Sequence, residues 1–305
     1  MAQGNARIAL ITARPRSEVN TDWDMPLLHA AFDQVDAEAE VSAWDDPQID
    51  WSSFDLAVIR SPWDYSWRSG EFLSWVEHCS TLTRVANPPE IIRWNSRKQY
   101  LLELRERGVP VVPTRYLAPG DPVELPTDRE FVVKPAVGAG ARFAARYTPH
   151  ESEAATAHVK RVHADDVTVM IQPYLSQIDL TGERALVFVR NRFLHAIRKK
   201  AVLAPGLRFD QPRDAHPGTQ PWAPTEAERE LAERALAAVP QADQLLYARV
   251  DMADDESGRP VMTELELVEP GLYLRFHHDS IPTFVAAITA MANNVVAERN
   301  RQTIA

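Results

Sequence analysis

The chain has 305 residues, 45% of them hydrophobic and 25% charged, which is the composition of a folded globular protein with room for two or three lobes. Its formal net charge of −10 disfavours nucleic acid as a partner, because phosphate backbones are bound by an excess of lysine and arginine. The single cysteine excludes an intramolecular disulfide, and we expect a cytoplasmic protein without a membrane partner, because no apolar run approaches about 18 residues.

The first 90 residues alternate strand and helix patterns. This βαβαβ order predicts a small, Rossmann-like parallel sheet covered by helices, in a first domain that spans 1–90. Ligands of such sheets meet the carboxyl ends of the strands, where the chain reads "TARPR" and "RSPWDY". The predicted strands cover 7–13, 39–44 and 55–61, and the predicted helices cover 24–37 and 69–83.

A second domain, 91–180, is predicted as a small central lobe. Asn95 or Ser96 can cap a helix that runs to about Arg107. The stretch "REFVVKPAVGAGARFAARY" at 129–147 is typical of a strand, a loop of small residues and a second strand. A helix near 150–163 and a strand at 167–175 complete the lobe.

The third domain, 181–305, is predicted as a mainly antiparallel sheet with helices. The strands "ERALVFV" and "RFLHAIRKK" meet at the short turn "RN", which indicates a hairpin. A second hairpin joins "LLYARVDM" to "PVMTELELV" around "ADDESGR". A proline-rich loop at 204–224 separates the two hairpins, and helices are predicted near 225–238 and 281–299.

Two acids occupy alternate positions in the last predicted strand. Glu264 and Glu266 therefore point to one face, with Cα atoms roughly 7 Å apart, and Asp251 on the neighbouring strand falls opposite or diagonal to Glu264. Three carboxylates without a nearby His or Cys suit a hard cation, and Mg²⁺ better than Ca²⁺. The alternative is a solvated acidic face paired with Arg249. Glu269 would alternate to the other face if the strand continued.

A nucleotide is the natural partner of such a metal, but the two common nucleotide motifs, G-x-x-x-x-G-K-[ST] and G-x-G-x-x-G, are absent from the sequence. The chain instead places Lys134 before a loop that contains Gly138 and Gly140, which can offer an ammonium and backbone N–H groups to phosphate. "QPYL" at 172–175 can pair with a purine edge through its backbone, and Glu183 can accept from ribose hydroxyls. A linker and a surface acid are the plain alternatives.

The order of these blocks resembles the ATP-grasp superfamily of carboxylate ligases. The blocks are "NPPEIIRWNSRKQYLLEL", "FVVKPAVGAGARF", "MIQPYL", "GERALVFVRNRFLHAIRK", "YARVDM" and "MTELELVEPGLYL", which together span about 87–276. The resemblance implies an α/β fold with a Rossmann-like N-terminal domain, a small central lobe and a C-terminal antiparallel lobe. It also implies that ATP and Mg²⁺ activate a carboxylate as an acyl-phosphate, which a nucleophile then attacks.

The resemblance implies roles for individual residues. Glu266 departs from the many members that have Asn at this metal position, which leaves the number of Mg²⁺ ions open. Carried over by position, the phosphate lysines are Lys98 and Lys134, the adenine hinge is Gln172, Tyr174 and Leu175, the ribose acid is Glu183, the metal ligands are Asp251, Glu264 and Glu266, and the catalytic cations are Arg249, Lys199 and Arg208.

Within the superfamily, "IRSPWDY" and "ELELVEPGLYLRF" are similar to the cyclo-ligases that close O-ureido-D-serine to D-cycloserine with release of ADP and phosphate. That likeness implies a small amino-acid-like carboxylate substrate and intramolecular attack by its own nitrogen. An intermolecular amino-acid or peptide ligase and a non-catalytic nucleotide-binding regulator are the alternatives, and the oligomeric state stays open. The candidate substrate contacts are Arg14, Arg60, Trp63, Asp64, Tyr65 and Glu269.

Overall fold

The computed structural model describes residues 5–14, 21–211, 214 and 217–304. Its first sheet is parallel, with the strand order β2-β1-β3-β4, as the alternating pattern predicted. Every residue of β3 is buried, since helices and chain cover both faces of the sheet. The elements are β1 (Ala6–Thr12), α1 (Met25–Ala31), β2 (Ala37–Ala43), β3 (Leu56–Ser61), α2 (Ser69–Ser80) and β4 (Arg84–Ala86).

Two short helices follow the first sheet in place of the one predicted. They are α3 (Pro89–Asn95) and α4 (Tyr100–Glu106). The prediction that Asn95 or Ser96 caps a helix was wrong, because the proline pair begins α3 earlier and α4 begins only after Gln99. The Asn95 side chain instead bonds the carbonyl of Leu265 at 2.9 Å and the amide of Leu267 at 2.8 Å.

The central lobe is an antiparallel sheet with the order β5-β8-β6-β7, covered on one face by a helix. Phe131, Val133 and Ile171 of this sheet form one buried cluster with Val159 of the helix. The strand, small-residue loop and strand predicted at 129–147 are confirmed. The elements are β5 (Arg115–Leu117), β6 (Phe131–Pro135), β7 (Ala145–Tyr147), α5 (Ser152–His163) and β8 (Val169–Pro173).

The third sheet is antiparallel, with the order β11-β10-β9-β12-β13. Arg190 and Asn191 have φ angles of 48° and 58°, so the predicted "RN" hairpin turn has left-handed backbone at both central positions. Of the loop predicted at 204–224, the structure describes residues 204–211, 214 and 217–224, and this part contains a short strand. The elements are α6 (Ile178–Thr181), β9 (Glu183–Val189), β10 (Arg192–Lys199), β11 (Gln220–Trp222), α7 (Glu226–Ala237), β12 (Tyr247–Asp254) and β13 (Pro260–Glu266).

The closing helix, α8 (Ile281–Ile304), is longer than predicted and returns to the first sheet. Phe284 and Ile288 are fully buried in one cluster with Ile8 and Leu10 of β1. This helix is also apolar and long enough to cross a membrane, with a hydropathy of 1.4 over its best window, which the sequence analysis overlooked. Its buried face packs on the first sheet, and 33% of the apolar window is buried. The domain boundaries stay a prediction.

Candidate active site

A cavity of about 920 Å³ lies where the three sheets meet. Lys134 and Gln172 reach it from the central sheet, Asp251 from the third sheet and Trp63 from the turn after β3. The structure therefore brings most of the predicted site residues to one place. The predicted residues that line the cavity are Trp63, Lys98, Lys134, Gly138, Gly140, Gln172, Tyr174, Leu175, Glu183, Lys199, Arg249, Asp251, Glu264, Glu266 and Glu269.

The acidic face is built by the register of β12 and β13. Asp251 pairs with Glu264 and Arg249 pairs with Glu266, with an irregularity just after Asp251. This confirms that Asp251 lies opposite Glu264. The strand does not continue to Glu269, because β13 ends at Glu266, and the irregular chain beyond it brings Glu269 to the same cavity.

One arginine, Arg249, pairs with two of these acids, Asp251 and Glu266. The Nε and Nη2 atoms of Arg249 lie 2.7 and 2.8 Å from the two carboxylate oxygens of Asp251, and Nη2 also pairs with Glu266. Burial still raises the pKa of Glu266 well above its usual range, although Arg249 acts against it. This upward shift is the direction expected for one of two like charges on a partly buried face.

The pKa of Glu264 shifts in the opposite direction. Burial would raise its pKa, but the ammonium groups of Lys98 and Lys134 outweigh that cost and hold the pKa at about 2. The Nζ atom of Lys98 lies 2.7 Å from Glu264 Oε1 and donates to the carbonyl of Gly138 at 2.7 Å. Lys98 thus joins the acidic face to the small-residue loop. It lies in the turn between α3 and α4 rather than on a helix.

Lys134 stands at the end of β6 and faces the same acids. Burial lowers the pKa of its ammonium, and Glu264 opposes that shift. A partly desolvated lysine beside a loop of small residues is suited to bind phosphate oxygens, because its charge is screened little by water.

The predicted adenine hinge follows β8. The Gln172 side chain is buried and donates to Thr114 Oγ1 at 2.8 Å, and the Tyr174 hydroxyl donates to Asp179 at 2.6 Å. Leu175 is also buried. These bonds fix the hinge segment at the cavity wall.

Glu183 begins β9 and is held from two sides. Its carboxylate lies 2.9 Å from Lys199 Nζ and accepts from Thr263 Oγ1 at 2.9 Å. Burial raises the pKa of Glu183, but Lys199 outweighs it and the net shift is downward. Lys199 also lies 3.9 Å from Asp251, so the cation links the predicted ribose acid to the metal acids.

The predicted substrate contacts of the first domain divide into two groups. Trp63 lines the cavity, and the buried Tyr65 forms a hydrogen bond with the Glu269 side chain. Asp64, Arg60 and Arg14 lie outside the cavity. Asp64 is fully buried and accepts from Trp44 and Arg68, Arg60 is buried behind the cavity wall, and the half-exposed Arg14 pairs with Asp45 and Asp46.

Arg208 is also displaced from its predicted place. Its side chain is 70% exposed and pairs with Asp210 at 2.8 Å, outside the cavity. Its neighbour Phe209 lines the cavity instead and stacks on His158 of α5, with ring centroids 4.2 Å apart. The contact joins the loop after β10 to the central lobe.

The sequence analysis missed several cavity residues. Tyr273 has a left-handed φ of 55° and lies under Arg249, whose guanidinium carbon is 5.4 Å from the ring centroid. The Arg142 guanidinium lies 4.2 Å from the Trp67 ring centroid, which joins the small-residue loop to the first domain. Both stand in irregular chain, where hydrophobic periodicity gives no signal. Both residues lie within sequence blocks that resemble the ATP-grasp superfamily, Arg142 in "FVVKPAVGAGARF" and Tyr273 in "MTELELVEPGLYL".

A family model and a curated relative match the chain. The model of the N-terminal domain of the D-cycloserine synthetase DcsG matches residues 8–87. The cycloserine biosynthesis protein DcsG of Streptomyces lavendulae is 38% identical over 291 residues, which are 88% of this chain and 93% of that protein.

The chain belongs to the DcsG family of ATP-grasp ligases. A crystal structure of D-cycloserine synthetase DcsG is 34% identical and superposes with a TM-score of 0.85 over 94% of this chain and 100% of that one. A D-alanine–D-alanine ligase from Bacillus anthracis superposes with a TM-score of 0.68 over 96% and 99% of the two chains, at 16% identity, and shares the fold. Both relatives are ligase enzymes, so a non-catalytic regulator is not supported.

The predicted metal ligands of this DcsG-family chain are engaged by side-chain cations. Among the residues that the structure describes, no three His, Cys, Asp or Glu side chains are grouped closely enough to hold one ion. Arg249 pairs with Asp251 and Glu266, and Lys98 pairs with Glu264. The oxygen-only donor set nonetheless has the chemistry that a hard cation prefers.

Proposed function

We propose that this enzyme uses ATP and Mg²⁺ to close O-ureido-D-serine to D-cycloserine, with release of ADP and phosphate. The observation that carries the proposal is the 38% identity to a cycloserine biosynthesis protein over 88% of the chain. The cavity supports the proposal, because the two lysines and three carboxylates that the ATP-grasp resemblance assigns to phosphate and metal all line it.

The side chains around the cavity fit a nucleotide and a hard cation. Lys98 and Lys134 would hold phosphate oxygens beside the loop of Gly138 and Gly140, and the segment 172–175 would hold adenine. Glu183 would hold ribose, and the metal would be held by Asp251, Glu264 and Glu266. When bound, ATP and Mg²⁺ supply the phosphoryl group that activates the carboxylate and the charge that stabilises its transfer.

The chain itself contributes charge and position. Arg249 is buried and lies where it can offset negative charge on the reacting carboxylate. Because the nucleophile is a nitrogen of the same molecule, the cavity has to hold one small substrate folded, and proximity supplies much of the rate. Glu269 and Trp63 also line the cavity and are assigned neither to the nucleotide nor to the metal, so they are the residues proposed to contact the substrate.

The decisive test is turnover of O-ureido-D-serine with ATP and Mg²⁺. ADP release is followed by a coupled assay and ring formation by mass spectrometry, with Arg249→Met as a control that should be inactive. ADP and cycloserine should appear together and only with Mg²⁺. AMP and pyrophosphate would refute acyl-phosphate chemistry, and ADP release that requires a second amino acid would identify an intermolecular ligase instead.

A further inference from the structure

Residues 267–272 follow β13 without strand or helix structure, and two of them, Glu269 and Gly271, line the cavity. In regular structure, backbone N–H groups would satisfy the carbonyls. Here each of the six carbonyl oxygens lies within hydrogen-bond distance of a side-chain donor. From residue 267 to residue 272 the donors are Asn87 (2.7 Å), Tyr247 (3.0 Å), Trp63 (3.2 Å), Arg60 (3.0 Å), Arg249 (3.1 Å) and His195 (2.7 Å). The Tyr247 hydroxyl shares its one proton with the carbonyl of Ile59 at 2.7 Å.

The donors come from both sides of the segment. Arg60 on β3, Trp63 in the turn after it and Asn87 after β4 belong to the first sheet and its connections. The other three stand on β10 and β12 of the third sheet. The 267–272 segment is therefore held between the two sheets by side chains, and its place in the cavity depends on both.

Arg60 is an unusual member of this set. It is 1% exposed, its Nη1 atom has no hydrogen-bond partner, and no carboxylate in the described part of the chain lies within ion-pair distance. Its guanidinium carbon lies 5.7 Å from the ring centroids of Tyr247 and Phe284. Burying an unpaired charge is costly. The hydrogen bond that it makes within the described chain goes to the carbonyl of Pro270.

We infer that Arg60 and Trp63 are positioning residues, which hold the backbone at Pro270 and Glu269 from the first domain and so set where Glu269 and Gly271 stand in the cavity. This role replaces the direct substrate contact predicted for Arg60. Its kinetic consequence rests on the proposed function. Loosening the segment should impair the chemical step and spare ATP binding, because the lysines and the adenine hinge are built on other chain segments.

Three variants separate this role from a loss of folding. Arg60→Met removes the donor while keeping an apolar chain of similar length, and the loss of the buried charge offsets part of the cost of leaving the Pro270 carbonyl without this donor. Trp63→Phe keeps an aromatic ring and removes the N–H. Trp75→Phe is the matched control, because the Trp75 Nε1 atom is buried in the same domain without a hydrogen-bond partner in the described chain.

Hydrogen exchange of peptides that cover 267–273 is measured together with kcat and the KM for ATP. In Arg60→Met and Trp63→Phe we expect exchange there, and not elsewhere, to be about tenfold faster. We also expect kcat about tenfold lower with the KM for ATP unchanged, whereas a merely structural role would raise exchange throughout. Trp75→Phe should show neither effect.

Unchanged exchange at 267–273 in both variants would overturn the inference, and so would faster exchange with an unchanged kcat. If the wild-type enzyme did not turn over O-ureido-D-serine, the proposed function would fail by itself. The exchange measurement, which needs no substrate, would then still decide whether Arg60 and Trp63 hold the segment.

Discussion

At the scale of single residues, the surroundings of each acid set the direction in which its pKa shifts. Glu264 and Glu266 share a strand face, yet Lys98 and Lys134 lower the pKa of Glu264 to about 2, while burial raises the pKa of Glu266. The alternation of the two acids predicts their shared face and their conflict. It does not predict that their pKa values shift in opposite directions, because that depends on lysines more than 100 residues earlier in the chain.

Lys134 gives a direct test of the phosphate side. Lys134→Met should weaken ATP binding at least about tenfold, or about 1.4 kcal/mol, because the only change is the loss of an ammonium that faces the cavity. Stability should not fall, since burial disfavours that charge. Calorimetric titration with ATP measures the effect, and Lys160→Met, on the exposed side of α5, is the matched control. Equal affinity in the two variants would remove Lys134 from the site.

Glu269 should make stability depend on pH near neutrality. Burial raises its pKa to about 7. An acid whose pKa rises on folding stabilises the protein fully below its unfolded pKa of about 4.3, and this contribution is lost as pH rises through 7. Glu269→Gln does not titrate, so its stability relative to wild type should increase between pH 5 and pH 8, by up to about 3 kcal/mol.

Urea unfolding at several pH values measures this difference. Glu256→Gln, which removes an exposed acid in the β12–β13 turn, should keep a constant offset from the wild type over the same range. A constant offset in Glu269→Gln as well would show that Glu269 is already ionised at pH 5 in the folded protein.

At the scale of elements, the joint between α6 and β9 determines the place of the Glu183–Lys199 pair. Gly182 has a φ of 77°, and a Cβ atom there would lie 2.5 Å from the carbonyl oxygen of Lys199. Gly258, in the β12–β13 turn, has a φ of 78° with no atom within 4 Å of such a Cβ. The two glycines therefore share a backbone conformation and differ in the space around them.

This difference predicts unequal effects of the same substitution. Gly258→Ala should cost about 1 kcal/mol of unfolding free energy from backbone strain alone. Gly182→Ala should cost about 1–3 kcal/mol more, because the methyl group also forces β10 away from β9. Kcat should fall only in Gly182→Ala, as Lys199 moves from Glu183. Denaturant midpoints measure the stability effect and turnover measures the effect on kcat. Equal losses of stability in the two variants would mean that β10 moves away from the added methyl group without strain.

Local patterns predicted most elements and failed where tertiary contacts took over. The hairpin turn at Arg190 and Asn191 was predicted from its length and flanking strands, and its backbone has the expected positive φ angles. The prediction of a single helix from Asn95 was wrong. The Asn95 side chain does not cap a helix but donates to the carbonyl of Leu265 in β13, 170 residues away. A side chain suited to a helix cap is equally suited to such a contact.

At the scale of the whole molecule, the sequence patterns predicted a parallel sheet in the first domain and an antiparallel sheet in the third, and the structure confirms both. They could not predict how the first domain holds the 267–272 segment. Arg60 and Pro270 are 210 residues apart, and Trp63 and Glu269 are 206 apart. Hydrophobic periodicity describes one element at a time, so it cannot predict contacts between segments that are distant in the sequence.

The last helix makes the first and third sheets depend on each other. Phe284 of α8 is fully buried, shares a cluster with Leu10 of the first sheet and Tyr247 of the third, and lies beside the guanidinium of Arg60. Phe284→Ala should lower the unfolding free energy by about 3–5 kcal/mol, through lost contacts and the cavity left behind. Because the cluster spans both sheets, the whole molecule should still unfold in one transition at a lower temperature.

Differential scanning calorimetry distinguishes the outcomes. A single endotherm, shifted as a whole, would show that α8 joins the sheets into one cooperative unit. Thr283→Ala, at the exposed neighbouring position, should leave the endotherm in place. An early transition that is separate from an unshifted main one would mean that the first sheet unfolds independently, and that the wall of the cavity which it supports can open without the rest of the enzyme.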